Sequence, residues 1–429
     1  WVNGGFAMFV GAPGTVSVSN SGGAVVISGA QFAVDGYTLA GDAITTNTAS
    51  TIVRVGDGTA AGASHTATIS AEITGSGGLT KEDQGTLVLS AANTYLGGTQ
   101  LNEGTLLVNN NLALGSGTLT IQGGTLGSQT SAVLANNVVV AGDFAVAATP
   151  SLTLNGDIAL ASNATITQAT AGTVDFGGAI SGTSGLTLDA SAARARYVFS
   201  GSKTNSYTGP TTVQGDAVLE LARTGGAVAV PGNLAVAGRG AVLLRGSEQI
   251  ADAAALVLTS TGQGGVDALQ FASAGLTETV GALSGTGNVG LAGSTLVVGS
   301  GDFSGQIRDN GASGGGIEKT GAGVLRLSGA NSYTGTTTVS AGTLQAGAAQ
   351  AFSAASAHTV AAGAVLDTGG FNQAVASLSN SGTVSLLGTA AGSSLTVNGA
   401  YVGNNGKLRV GGALNAAGPS VRLVLEGGR

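Results

Sequence analysis

The 429-residue chain has no cysteine, five prolines and two histidines, and its aromatic and charged residues make up only 4% and 9% of the total. Each shortage removes a class of structure or chemistry. Without cysteine there is no disulfide, no thiolate metal site and no cysteine nucleophile. Five prolines and no Gly-X-Y period exclude a collagen helix, and a 43% hydrophobic content argues against a solvated, disordered chain. Gly, Ser, Thr and Asn interrupt every apolar stretch before it reaches the ~18 residues of a membrane-spanning helix. Fifteen Lys and Arg against 22 Asp and Glu give a net charge of −7 with no basic block, so nucleic acid is not an expected partner. What the chain has in excess is glycine, 76 residues of it. Glycine costs roughly 1 kcal/mol relative to alanine inside a helix, so long helices are excluded and β structure with many turns remains.

The sequence repeats itself. Residues 78–106 and 316–344 align without a gap at an offset of 238 and share 14 of 29 positions. The shared positions include Lys81 with Lys319, Asn93 with Asn331, Tyr95 with Tyr333, and Gly104-Thr105-Leu106 with Gly342-Thr343-Leu344. A worn copy lies between them, with Tyr197-Val198-Phe199-Ser200 for the Leu-x-Leu-Ser run and Asn205-Ser206-Tyr207 for the Asn-x-Tyr core. Within these units Gly323, Gly342, Gly363, Gly382 and Gly406 follow at spacings of 19, 21, 19 and 24. Two residues after each comes an aliphatic side chain (Leu325, Leu344, Val365, Val384, Leu408), followed by a polar one such as Arg326, Gln345, Ser385 or Arg409. Short alternating strands between turn clusters, recurring every ~20 residues, predict an all-β fold, a parallel β-solenoid of roughly 20 coils. Sandwiches and propellers fit less well, because the first want hairpins and the second aromatic signatures at a longer period.

Residues 77–108 and 315–346 carry a Gly-flanked Lys, a Leu-x-Leu-Ser strand, Asn-x-Tyr-x-Gly and a closing Gly-Thr-Leu. In this combination they resemble the passenger-associated transport repeat of bacterial autotransporters, and 185–222 resembles a degenerate copy. Residues 363–429 resemble the pertactin-like end of a passenger, where that family places its autochaperone segment. The resemblance implies a right-handed parallel β-helix over 1–362 with a C-terminal cap over 363–429. It further implies a Gram-negative surface protein exported through the periplasm and displayed or released. Its partners would be host-cell, matrix or neighbouring-cell surface molecules, with an outer-membrane translocator barrel in the same precursor. No stretch of this sequence reads as that barrel, and the chain opens at Trp1 with no initiator Met, so the sequence reads as a processed or excised segment. A monomer is expected.

No residue pattern predicts a catalytic, cofactor or metal site. His65 and His358 are 293 residues apart and read as plain surface or strand residues, and no Gly-x-Ser-x-Gly elbow accompanies the serines. Asp35, Asp42, Asp57, Asp143, Asp157 and Asp302 each adjoin a glycine and read as turn residues. Lys81-Glu82-Asp83 reads as a solvated corner. Arg194, Arg196 and Lys203 form the one small basic patch, in the region where the middle repeat carries extra residues, and make a candidate binding loop. Lys81, Asn93, Tyr95, Asn205, Tyr207, Lys319, Asn331 and Tyr333 read as structural positions of the repeat, the tyrosines packing over coil corners. The expected function is a non-enzymatic, adhesin-like passenger. The alternatives are a stalk for a catalytic domain elsewhere in the gene and, further back, a polysaccharide-active solenoid.

Overall fold

A computed structural model describes residues 3–47, 49–148, 151–191, 195–387, 394–410 and 413–416. The strands named in it pair almost entirely in parallel, and the single helix among the described residues is the short 3-10 turn Ala60–Ser64. The chain divides into two compact units, Trp1–Thr211 and Thr212–Arg429. Parallel strands of two to nine residues stack coil upon coil, a β-solenoid of about 18 turns in all. That is slightly fewer than the expected 20, because some turns carry extra residues, as at Ala60–Ser64 and at the antiparallel bridge Gln263–Val266.

In the first unit, one face is a nine-stranded sheet running from Phe6–Phe9 through Gly78–Glu82 and Thr99–Leu101 to Ile180–Gly182. A second face starts at Thr15–Val18 and includes Thr66–Ile69, Thr86–Leu89 and Thr105–Val108. Register aligns like with like: Ile69, Leu89 and Val108 stand opposite one another in successive coils, as do Leu101, Ile121, Val140 and Leu160. These rows are closed to water. Alternation along each strand sends every second side chain inward, and each buried Leu, Ile or Val contributes about 1.5–3 kcal/mol.

In the second unit the nine-residue strands Thr277–Gly285 and Thr295–Phe303 turn a corner without breaking. The latter then pairs through its first half with Gly316–Lys319 and through its end with Val324–Leu327. Onward, Leu325 meets Leu344, Leu344 meets Leu366, Leu366 meets Val384 and Val384 meets Leu408. The inward residue of the third of these coils is therefore Leu366, not Val365, because the turn after Gly363 holds one more residue than its counterparts. Pairing continues past residue 363 without interruption. Asp302 also departs from expectation: it lies inside the strand Thr295–Phe303, its side chain outward beside Arg326, because Gly301 belongs to the same strand and not to a turn.

Candidate functional site

Lys81 is the residue the sequence places wrongly. It is not on a solvated corner but in the strand Gly78–Glu82, fully buried, in the inward row between Val53 and Leu101. Strand alternation puts Lys81 on the same side as Leu79, and the long stem carries the ammonium to the end of the strand. There Nζ donates to the carbonyl oxygens of Glu82 at 2.8 Å and Glu103 at 3.2 Å and to that of Asp83. Three hydrogens meet three acceptors. Burial pushes this ammonium down to about 8, while Asp83, Glu103 and Glu82 pull the other way, so it stays charged at pH 7. Lys319 repeats the arrangement between Val298 and Val339, donating to Gly321 O at 2.9 Å, Ala341 O at 3.1 Å and Thr320 O. Gly104 and Gly342, with φ of +69° and +63°, close the same corners; a side chain at either would collide with backbone carbonyls there.

One coil corner further on, the asparagines bridge layers. Asn93 Oδ1 accepts from Ile73 N–H at 2.8 Å and its Nδ2 donates to Ala113 O at 2.6 Å, so one amide ties the backbone 20 residues before it to the backbone 20 residues after it. Asn331 does the same between Ile307 N–H and Ala351 O, both at 2.7 Å, and Asn205 Oδ1 accepts from Ile180 N–H at 2.8 Å. Beside each asparagine a buried tyrosine hydroxyl meets a threonine: Tyr95 with Thr99 at 2.5 Å, Tyr207 with Thr211 at 2.6 Å, and Tyr333 with Thr337 at 2.7 Å. Burial raises the Tyr95 and Tyr333 phenols, which stay neutral. The middle copy has no lysine at the matching place. At the first position of its Leu-x-Leu-Ser run stands Tyr197, whose buried hydroxyl is shared between Ile166 O at 2.9 Å and Asp189 O at 2.7 Å.

A family model of the passenger-associated transport repeat matches residues 79–108, 197–215 and 317–346, the three stretches that hold these buried polar groups. The chain carries the transport repeats of autotransporter passengers. It is also 40% identical over 160 residues to the adhesin BmaC autotransporter of Brucella suis biovar 1 (strain 1330), a match spanning 36% of this chain and 5% of that protein. No solved structure is significantly similar to the chain.

The transport repeats are thus polar staples within an apolar stack. The other candidates are dispersed. Arg194 lies outside the described residues. Arg196 lies in the strand Ala195–Phe199 opposite Thr173, and Lys203 forms an exposed ion pair with Asp157 at 2.6 Å, which offsets its charge. Asp35, Asp42, Asp143 and Asp157 accept from backbone N–H groups one coil away, and Asp57 accepts from Thr59, so these five cap turns or join coils. His65 follows the 3-10 turn. His358 is buried in the strand Ala357–Val360 against Phe352, with Nδ1 3.1 Å from Ser356 O, and burial pushes it down to about 4. No residue pattern flagged Glu278. It is fully buried, and its two oxygens accept from Gln249 N–H at 2.9 Å and Ile250 N–H at 2.7 Å. Burial pushes its carboxyl up to about 8, with those two N–H groups opposing and Glu248 and Asp252 assisting. Its partners lie 29 and 28 residues away, so only the stacking of coils reveals the site.

Proposed function

We propose that this chain is a non-enzymatic, adhesin-like part of an autotransporter passenger, displayed at or released from the bacterial surface after export through the periplasm. The observation that carries the reading is the 40% identity over 160 residues to a protein named as an adhesin, together with the three transport repeats. Its chemistry supports the same conclusion. The two histidines lie in different units and are placed as packing and corner residues, and the buried polar groups of the repeats are engaged with backbone carbonyls and amides rather than facing a cleft. A solenoid of this kind binds through extended faces, where area and not a deep pocket supplies affinity. Its partners are surface molecules of host cells, matrix or neighbouring bacteria, and a translocator barrel belongs to the same precursor. Residues 363–429 serve as the autochaperone-like end, continuing the stack through Val365–Asp367, Thr383–Leu386 and Lys407–Val410. The test is retention of beads coated with the 429-residue chain on cultured cells, matrix-coated wells and bacterial films. Saturable retention, competed by the free chain, is the expected result. Retention no better than that of beads carrying an unrelated protein overturns the adhesin reading, and turnover of a protein or polysaccharide substrate by the purified chain overturns the non-enzymatic one.

A further inference from the structure

The first unit carries a groove of about 410 Å³ on its nine-stranded face, and its shape is set by the backbone. Gly78 stands opposite Ser50, and the ladder continues one residue ahead of the Leu79–Thr99 and Thr99–Leu119 pairs to bring Gly98 and Thr118 into the same outward row. Ser50 and Thr118 flank two positions without side chains, and that gap is the dent. It cannot be filled at little cost. A Cβ on Gly98 (φ +81°) would meet Thr118 O at 2.6 Å, and one on Gly78 would meet Gly97 O at 2.8 Å. Two residues along, Thr80, Gln100 and Thr120 form the next outward row across three successive coils.

We propose that this groove binds a neutral, polyhydroxylated chain, an uncharged glycan laid along the stacking direction. The groove's lining contains no charged side chain, only glycines, hydroxyls, one amide and a few apolar groups. Gln100 spends its Nε2 on Asn102 at 2.8 Å, which leaves its carbonyl oxygen turned to solvent as an acceptor, and the Thr118 and Thr120 side chains stand beside it. Hydroxyls and amides that both donate and accept match sugar hydroxyls, which do the same. Leu96, 63% exposed at the rim, offers an apolar surface to the C–H face of a ring. Successive coils are ~4.8 Å apart, close to the length that one pyranose unit adds to a chain, so each coil can present its polar group to one sugar. An anionic glycan finds no cation in this lining and meets a chain of net charge −7.

This site rests on the adhesin-like reading and names a ligand class for it. The test uses the 429-residue chain with a panel of neutral tetrasaccharides (cello-, malto-, manno- and chitotetraose) and tetragalacturonate as the anionic counterpart, read by saturation-transfer NMR and calorimetry. At least one neutral tetrasaccharide should bind saturably and more tightly than tetragalacturonate. Gln100→Ala should weaken it roughly tenfold, the scale of one lost hydrogen bond. Thr120→Phe, an outward strand position that accepts an aromatic, should fill the groove and abolish binding while leaving the thermal unfolding midpoint unchanged. The proposal is overturned if no neutral tetrasaccharide binds, if binding survives Thr120→Phe, or if tetragalacturonate binds as well. Coated beads that still adhere to cells in those cases would remove the groove alone; beads that never adhere would remove the adhesin reading itself.

Discussion

Replacing Asn331 with alanine deletes an acceptor held 2.7 Å from the Ile307 N–H and a donor held 2.7 Å from the Ala351 carbonyl. Both groups belong to neighbouring coils and are shut away from water, Asn331 itself being 7% exposed. An orphaned buried polar group costs about 1–3 kcal/mol, so two of them should cost about 2–6 kcal/mol, with the lower end reached if a water enters the vacated space. Because stacked coils are held mainly by their neighbours, the loss should appear first as local opening. Hydrogen exchange at the Ile307 amide and its neighbours is therefore the decisive assay, with urea unfolding as the global measure. Lys203→Ala is the control, since it removes only an exposed pairing with Asp157 at 2.6 Å, worth under ~1 kcal/mol. Asn331→Asp should be at least as costly as alanine at pH 7, because it retains the acceptor but turns an anion toward the Ala351 carbonyl. If Asn331→Ala loses less than about 1 kcal/mol, or no more than the control, the asparagine is not a staple and the reading of the transport repeat as a polar clamp fails.

Lys319→Met preserves the buried stem but leaves the carbonyls of Thr320, Gly321 and Ala341 without their donor, and should cost about 3 kcal/mol or more by urea unfolding; Lys81→Met should behave alike. Tyr333→Phe, which removes only the hydroxyl facing Thr337, should cost about 1 kcal/mol in the same measurement. His358 is held at about 4, below its ordinary 6.5, so the unfolded chain binds a proton in that window and the native chain does not. Its contribution therefore falls away as pH drops from 6.5 through 4, by about 1.4 kcal/mol per unit, and His358→Phe should flatten that slope. Glu278 has the opposite sign. Held at about 8 against an ordinary 4.5, it keeps a proton in the native state that the unfolded chain has lost, so stability declines as pH rises from 4.5 through 8. The two slopes cancel between 4.5 and 6.5, and Glu278→Gln should abolish the decline from 6.5 to 8 in a pH series of urea midpoints.

Strand and turn were legible wherever a rule of local geometry governed them. The alternation of Leu325-Arg326-Leu327 and the glycine before it are readable because a strand's two faces differ in solvent and its corner needs little side-chain volume. The same rule, applied strictly, would have found Lys81. Leu79 and Lys81 share parity, as do Ile317 and Lys319, and the inference was lost only because lysine is so seldom buried that its chemistry outweighed its position. Val365 and Leu366 show a different limit: one additional residue in a turn flips parity, and a glycine-anchored count cannot sense it. Glu278, and the groove formed by Ser50, Gly78, Gly98 and Thr118, were out of reach for a third reason. Their partners come from separate coils, and neither periodicity nor composition says which outward or inward positions will meet.

The placement of the staples bears on how a stack of similar layers chooses its register. Ile69, Leu89 and Val108 follow one another in the same inward row, so sliding a segment by a whole coil would still set one aliphatic side chain on another. Hydrophobic burial discriminates poorly between such alternatives, because it is proportional to area and indifferent to direction. Asn93 discriminates strongly. Moved by one coil, its amide would leave the Ile73 N–H and the Ala113 carbonyl unpaired while facing groups already engaged elsewhere. The lysine adds the complementary condition within a corner, since its ammonium is tolerable in an apolar row only where three carbonyls converge upon it. A buried amide that fixes one layer against the next has a precedent in coiled coils, where a polar residue in the seam sets register at some expense of stability. By this logic the transport repeats are the places where a chain folding from one end can commit to the correct layer, and the glycine- and threonine-rich coils between them are free to vary their outward faces. The proposed groove lies at the first transport repeat, where the outward Thr80 and Gln100 shape it from one side while Thr99, also in its lining, is held by the Tyr95 hydroxyl that belongs to the staple.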